Sequence, residues 1–256
     1  MNKTILLLDG ANLMQRARFS SRRNLGDRDN AIVYAFFRSL RPLVEKFSPS
    51  KIVLALEGRP VKRLQAHEGY KATRVFDSSD NYAEQRKKIL ELLQSMPIEV
   101  VRHPEREADD VIGHYALSGD WDRRVIVSSD TDFLQLLNQD SRCELYNPVA
   151  KKFREPPCSD NIEGFKGVGN KTALKLLDSP EKLQQFLSDK NGNEKYALNR
   201  ELIQFEHLNE ADVEVSHGSA NWDSLRNAFR DLGFWSMVNN TAWTKYTTTF
   251  KGVIND

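Results

Sequence analysis

Four short apolar runs, each bordered by a segment of helical periodicity, limit what this chain can fold into. "TILLLD" (residues 4–9), "KIVLALEG" (51–58), "IEVVRH" (98–103) and "RRVIVSSD" (123–130) carry unbroken apolar stretches rather than alternating ones. Between and after them lie "RDNAIVYAFFRSLRPLVEKF", "NYAEQRKKILELLQSM", "EADDVIGHYAL" and "TDFLQLLN". In the first of these, Ile32, Ala35, Phe36, Leu40 and Leu43 or Val44 share one helical side. Strands that are apolar throughout are buried on both faces, and strands alternating with helices build a parallel sheet covered by those helices. The expected class is α/β: a parallel-rich central sheet flanked by helices.

The character changes near residue 150. Beyond it the sequence shows no strong strand and reads as turns and helices, including "NEKYALNRELIQFEHL" and "NWDSLRNAFRDLGFWSMV". The last ten residues, "TTTFKGVIND", are expected to be a loose tail. The expected organisation is an α/β core over 1–150 and a helical part over 151–256. Trp222, Trp235 and Trp243 are read as packing residues, and the five scattered histidines as surface or packing groups.

The balance of 37 Lys+Arg against 36 Asp+Glu leaves a net charge of +1, so only local segregation of charge can point to a partner. Cys143 and Cys158 form no CxxC pair and have no histidine at metal spacing, which argues against structural zinc and disulfides. The apolar core of "MNKTILLLDGANL" is too short for a signal peptide or a membrane span, so a soluble cytoplasmic protein is expected, with no membrane partner. No P-loop, GxGxxG or GxSxG motif occurs.

The segregated charge is acidic and sits at strand ends. Asp9, Glu57 and Asp130 each close an apolar run. In an open parallel sheet those ends meet at one edge, where ligands bind. The helix after the third strand starts there too, carrying Glu107 and Asp110 on one face, with Asp109 one position round. Asp132 stands at the next helix start. Crowded carboxylates raise one another's pKa. A hard divalent cation, Mg²⁺ or Mn²⁺, relieves that repulsion. Paired cations in such a site perform phosphoryl chemistry, and here they favour phosphodiester hydrolysis. Acids near a helix start are also favoured by its dipole alone, so one such cluster would not carry this conclusion.

A second cluster is basic. In "GFKGVGNKTALKLL" (164–177), Gly164, Gly167 and Gly169 permit tight turns, and Lys171 and Lys175 fall on one face of the helix that follows. Backbone N–H groups at such a hairpin (164–170), with Lys171, Thr172 and Lys175, suit phosphates rather than bases. Further cations, Arg22 and Arg23 among them, occur in "QRARFSSRR" and in "GYKATR". A plain helix–turn–helix connection with a solvated basic face is the simpler alternative for this segment.

In order along the chain, "LLLDGANL", "LEGRP…HEGYKATR", "EADDVIGHYA", "VIVSSDTDFLQLL" and "SDNIEGFKGVGNKTALKLL" resemble the motifs of the 5′-nuclease family. That family comprises flap endonucleases, phage and bacterial 5′→3′ exonucleases, and the N-terminal nuclease domain of bacterial DNA polymerase I. The resemblance implies a PIN-like core, a short helical arch near 72–96 and a helix–turns–helix DNA-binding motif. It implies hydrolysis of DNA bearing 5′ ends, flaps or branches, with two cations. One would be held by Asp9, Glu57, Glu107, Asp109 and Asp110, the other by Asp130, Asp132 and Asp160. Lys71 and Arg74 would neutralise the scissile phosphate, and Tyr70 either stacks on a base or packs. The hairpin would hold the uncut strand, with K⁺ as a further ion. A monomer is implied, with a DNA polymerase acting in trans.

Two features depart from the family pattern. Glu57 stands where aspartate is usual, and Pro157 where a Gly-Asp usually precedes the SDN aspartate, which leaves the second ion short of a ligand unless water or Glu155 replaces it. Pro157 favours a different outcome, a branched-DNA binder with weakened catalysis. A PIN-like endoribonuclease shares the acidic core but lacks the helical extension.

Overall fold

The computed structural model describes residues 3–24, 30–67, 69–71, 81–137, 139–154, 168, 172, 175–176, 179–189 and 192–253. Its strands are β1 (Thr4–Asp9), β2 (Lys51–Leu56), β3 (Glu99–Arg102), β4 (Arg123–Val127), β5 (Cys143–Asn147), β6 (Lys152–Phe153) and β7 (Glu214–His217). They form one mixed sheet of order β6-β5-β4-β1-β2-β3-β7. β5, β4, β1, β2 and β3 run parallel, and β6 and β7 close the two edges antiparallel. The helices are α1 (Gly10–Asn24), α2 (Ala31–Phe47), α3 (Val61–Ala66), α4 (Tyr82–Leu93), α5 (Ala108–Leu117), α6 (Leu134–Leu137), α7 (Pro180–Asp189), α8 (Asn193–Ile203), α9 (Trp222–Asp231), α10 (Trp235–Val238) and α11 (Asn240–Thr249). The expected α/β class with a helical C-terminal part is what the structure has. None of the described helices is long and apolar enough to cross a membrane.

The unbroken apolar runs serve two cores at once. Leu6, Leu8, Leu54, Val125 and Val127 point into one core with Phe36, Phe37, Phe229 and Trp243. Ile5, Leu7, Val53, Val101 and Ile126 point into the other with Val111, Ile112 and Phe133. Side chains alternate along a strand, so a strand between two helical layers needs apolar residues at both parities.

The parallel strands bring their C-terminal ends to one edge. There β2 runs on into Glu57 and Gly58, pressed against the loop between β3 and α5. The Gly58 N–H donates to Arg106 O at 2.9 Å, and Arg59 N–H to Pro104 O at 2.8 Å. A Cβ at Gly58 would lie 1.9 Å from His103 O and 2.5 Å from Arg106 O. Only glycine allows the two backbones to approach this closely.

The structure differs from the sequence expectation at β5, at β7 and at the C-terminus, among other places. β5 follows α6 directly, where the sequence reading places no strand. β7 falls in a region expected to be helical, and all four of its residues are exposed. It carries no apolar run, and only its pairing to β3, Glu99↔His217 through Arg102↔Glu214, makes it a strand. The C-terminal stretch is no loose tail: it is helical through Thr249, with Phe250 and Val253 buried. Trp243, Tyr246 and Phe250 recur at helical spacing and bury one side of α11: the Trp243 and Tyr246 rings stack at 5.9 Å, and Tyr246 meets Phe250 at 5.3 Å. Of the stretch near 72–96, residues 72–80 lie outside the described ones. Within α4, Ile89 and Leu93 are fully buried, and Gln85 Oε1 accepts from Ile32 N–H at the start of α2 at 2.8 Å.

Gly58→Ala should therefore destabilise the protein by about 2–3 kcal/mol, because rigid backbone must move to admit the methyl group. At Gly252 a Cβ would meet nothing within 4 Å, so the same change there should be tolerated to within about 0.5 kcal/mol. Urea unfolding followed by circular dichroism measures both.

Candidate active site

Asp9 ends β1 at this edge and is buried. Its Oδ1 accepts from Asn12 N–H at 2.9 Å, at the start of α1, and its Oδ2 from Ser128 Oγ at 2.7 Å. Ser128 Oγ also accepts from Asp130 N–H at 3.1 Å, and Asp130 Oδ1 from Asp132 N–H at 3.0 Å. Asn12 Nδ2 donates to Ser129 Oγ at 2.6 Å. The loops after β1 and β4 are thus tied together, and the "SSD" segment presents Asp130 beside Asp9.

The loop after β2 joins the same edge. Glu57 Oε2 accepts from Ala108 N–H at 3.0 Å, an otherwise free donor in the first turn of α5. Glu107 and Asp110 form a capping box at that helix start. Both are engaged further. Arg63, buried on α3, donates from Nη1 to Glu107 and to Asp110 Oδ2 (2.9 Å), and from Nη2 to Asp110 Oδ1 (2.7 Å). The Tyr70 hydroxyl donates to Glu107 Oε2 at 2.8 Å, and Lys71 Nζ pairs with Glu107 Oε1. Lys71 has a positive φ of 56°. That conformation costs an L-residue about 1–2 kcal/mol and is sustained by its surroundings.

The electrostatics separate Glu107 from the other acids whose carboxyls shift. Burial pushes the Asp9 carboxyl up to about 6; Asn12 and Ser128 oppose the rise, while Glu57 and Asp130 add to it. Burial raises Asp109 as well, well above the usual carboxylate range, reinforced by Asp9, Glu57 and Asp130. Asp9, Glu57, Asp109 and Asp130 therefore sense one another as like charges. At Glu107, burial acts upward, but Lys71, Arg63 and the Tyr70 hydroxyl outweigh it and hold the carboxyl low. At Asp110, burial prevails over Arg63 and the backbone donors, and the carboxyl is raised.

The donor set is all oxygen, which suits Mg²⁺ or Mn²⁺. Added positive charge would relieve the mutual repulsion of Asp9, Glu57, Asp109 and Asp130, so these residues fit a hard cation. Among the described residues, no three His, Cys, Asp or Glu side chains already converge as a finished ligand cage.

The structure brings Asp9, Glu57, Glu107, Asp109, Asp110, Asp130, Tyr70 and Lys71 to this edge, with Asp132 bonded to Asp130. Asp160, Arg74, Gly164, Gly167, Gly169 and Lys171 lie outside the described residues, as do Glu155 and Pro157. Thr172 and Lys175 are exposed. Arg22 and Arg23 fall in α1, with side chains outside the described set. Sequence reasoning misses Arg63, since nothing in "VKRLQA" marks one arginine as buried.

Residues 4–162 match the family model described as the 5′-3′ exonuclease N-terminal resolvase-like domain. DNA polymerase I of Bacillus subtilis is 30% identical over 281 aligned positions, covering 91% of this chain and 31% of that protein. The thermostable DNA polymerase I of Thermus filiformis is 27% identical, covering 88% of this chain and 29% of its own length. The chain thus spans under a third of the length of these curated relatives. Among solved structures, the catalytic core of Rad2 in complex with DNA substrate superposes with a TM-score of 0.60 at 15% identity, over 99% of this chain and 93% of that one. The bacteriophage T5 D15 flap endonuclease, solved with DNA and metal ions, gives 0.52 at 15% identity, over 98% and 93%. This chain belongs to the 5′-3′ exonuclease family.

The raised carboxyl of Asp9 carries a pH signature. Its proton is held more tightly in the folded state, at about 6, than at the ordinary value of 3.8. The folded state binds more protons between those values, so this contribution is lost as pH rises from about 4 to about 6. In EDTA at pH 7, Asp9→Asn should be more stable than the parent by roughly 1–2 kcal/mol. The gap should close below about pH 4. Urea midpoints at the two pH values measure it, and a gap independent of pH would contradict the assignment.

Proposed function

We propose that the protein is a divalent-metal-dependent nuclease that hydrolyses DNA phosphodiesters at 5′ ends, flaps or branches. The observation that carries this reading is the convergence of Asp9, Glu57, Asp109 and Asp130 on one sheet edge, with Lys71 at its lip. Asp9, Glu57 and Asp109 are assigned to one Mg²⁺ or Mn²⁺, and Asp130, Asp132 and Asp160 to a second. Glu107 and Asp110 contribute by shaping the site. Bound there, two such ions supply an activated water and neutralise charge at the leaving oxygen.

The remaining roles fall to the chain itself. Lys71, partly exposed on Glu107, and Arg74 offer positive charge to the scissile phosphate. Tyr70 holds Glu107 in place through its hydroxyl. The hairpin with Gly164, Gly167 and Gly169, together with Lys171, Thr172 and Lys175, holds the uncut strand with K⁺ as its ion. Arg22 and Arg23 flank the entry. The arch near 72–96 belongs to the 1–150 core, and 151–256 carries the DNA-binding hairpin. A monomer inside the cell, working beside a DNA polymerase, completes the reading. The second reading, a branched-DNA binder with weakened catalysis, is favoured by Pro157.

A labelled 5′-flap duplex incubated in Mg²⁺, Mn²⁺ or EDTA tests both. Cutting should require metal and fall by about 100-fold or more in Asp130→Asn. Tight flap binding without cutting in any metal would leave the binder, and preferential cutting of single-stranded RNA would favour a PIN-like endoribonuclease.

A further inference from the structure

We infer that Arg63 is the positioning residue of this cleft: it saturates Glu107 and Asp110 and thereby turns Asp109 toward the metal. Arg63, Glu107 and Asp110 are all essentially inaccessible, with side-chain exposures of 3%, 3% and 0%. Both oxygens of Asp110 are fully used. Oδ1 accepts from Arg63 Nη2 at 2.7 Å and from Glu206 N–H at 2.9 Å. Oδ2 accepts from Arg63 Nη1 at 2.9 Å and from Glu107 N–H at 3.2 Å. Glu107 is occupied by Arg63, Tyr70 and Lys71. Neither carboxylate has capacity left for a cation. Asp109, between them in sequence, takes no part in this Arg63 network; it lies in the field of Asp9, Glu57 and Asp130, with Lys71 opposing them.

Helical geometry gives this division its consequence. Successive residues are about 100° apart around a helix, so Asp109 lies about 100° from Asp110, while Glu107 is the extended N-cap just before the first turn. Locking Glu107 and Asp110 onto α3 sets the rotation of the first turn of α5 and directs Asp109 elsewhere, into the cleft. Arg63 Nη2 also reaches Gln204 O at 3.3 Å, and Glu206 pairs with Arg106 at 2.8 Å and Lys62 at 3.3 Å. The segment following α8 is thereby fastened to the same helix start. The task needs a planar fork: an ammonium is a single point charge and cannot bridge two carboxylates in fixed geometry.

Because the cleft is taken as the metal-dependent nuclease site proposed above, the test separates metal binding from cleavage. Arg63→Lys keeps the charge and removes the fork. The double variant Arg63→Met/Asp110→Asn removes a positive and a negative charge together, and serves if the lysine variant does not fold. Each is compared with the parent by thermal melting, by Mn²⁺ titration calorimetry without DNA, and by flap cleavage. The expected result is a folded variant with Mn²⁺ affinity and kcat each reduced about tenfold or more, and flap affinity in EDTA changed less than about threefold. A variant that melts earlier yet keeps parental Mn²⁺ affinity and kcat would reduce Arg63 to a structural residue and overturn the inference. If the parent binds Mn²⁺ but cuts nothing, the nuclease reading fails, while the loss of Mn²⁺ affinity in the variants still supports Arg63. A parent that binds no Mn²⁺ overturns both.

Discussion

Packing Asp9, Glu57, Glu107, Asp109, Asp110 and Asp130 at one edge of a sheet concentrates negative charge in a partly buried cleft, where like charges repel strongly and solvent screens them poorly. The protein compensates this charge in two ways. Arg63, Tyr70 and Lys71 satisfy Glu107 and Asp110 directly. Asp9, Asp109 and Asp110 hold their protons more tightly than in water, Asp110 in spite of Arg63. A folded state that keeps unrelieved repulsion at one place has a use for an incoming cation there, and that place is the ligand-binding edge of an open α/β sheet.

The same compensation links the site to the fold. α3, α5 and the segment after α8 meet at the Arg63 guanidinium, so three stretches distant in sequence are fixed by one side chain. Gly58 acts on the opposite side of the same junction. By letting the end of β2 approach the β3–α5 loop, it brings Glu57 within hydrogen-bonding distance of the first turn of α5. The acids of the cleft are therefore held by backbone approach and by buried ion pairing, in addition to their position at strand ends.

The match over residues 4–162 includes every acid described at the edge, while the likeness to Rad2 and to the T5 enzyme, at 15% identity, speaks to the fold alone. The ion pairing adds what similarity does not: of the acids at the α5 helix start, Glu107 and Asp110 are hydrogen-bonded to Arg63 and Asp109 is not.

The α/β class, the four central strands and the edge where the acids gather are legible in the residues alone. Those features depend on local apolar runs and on the rule that parallel strands end on the same side. The acidic residue types are equally local, and with them the all-oxygen character of the donor set. Which acids face the cleft is a matter of tertiary packing, because Arg63 finds Glu107 and Asp110 from 44 and 47 residues away. Packing also makes a strand of Glu214–His217, whose exposed residues carry no apolar signal and pair by register with β3. The burial of Trp243, Tyr246 and Phe250 likewise comes from a core assembled mostly by residues far away in the chain. Periodicity records which residues will be buried, but an ion pair or an edge pairing exists only once two distant segments have been brought together.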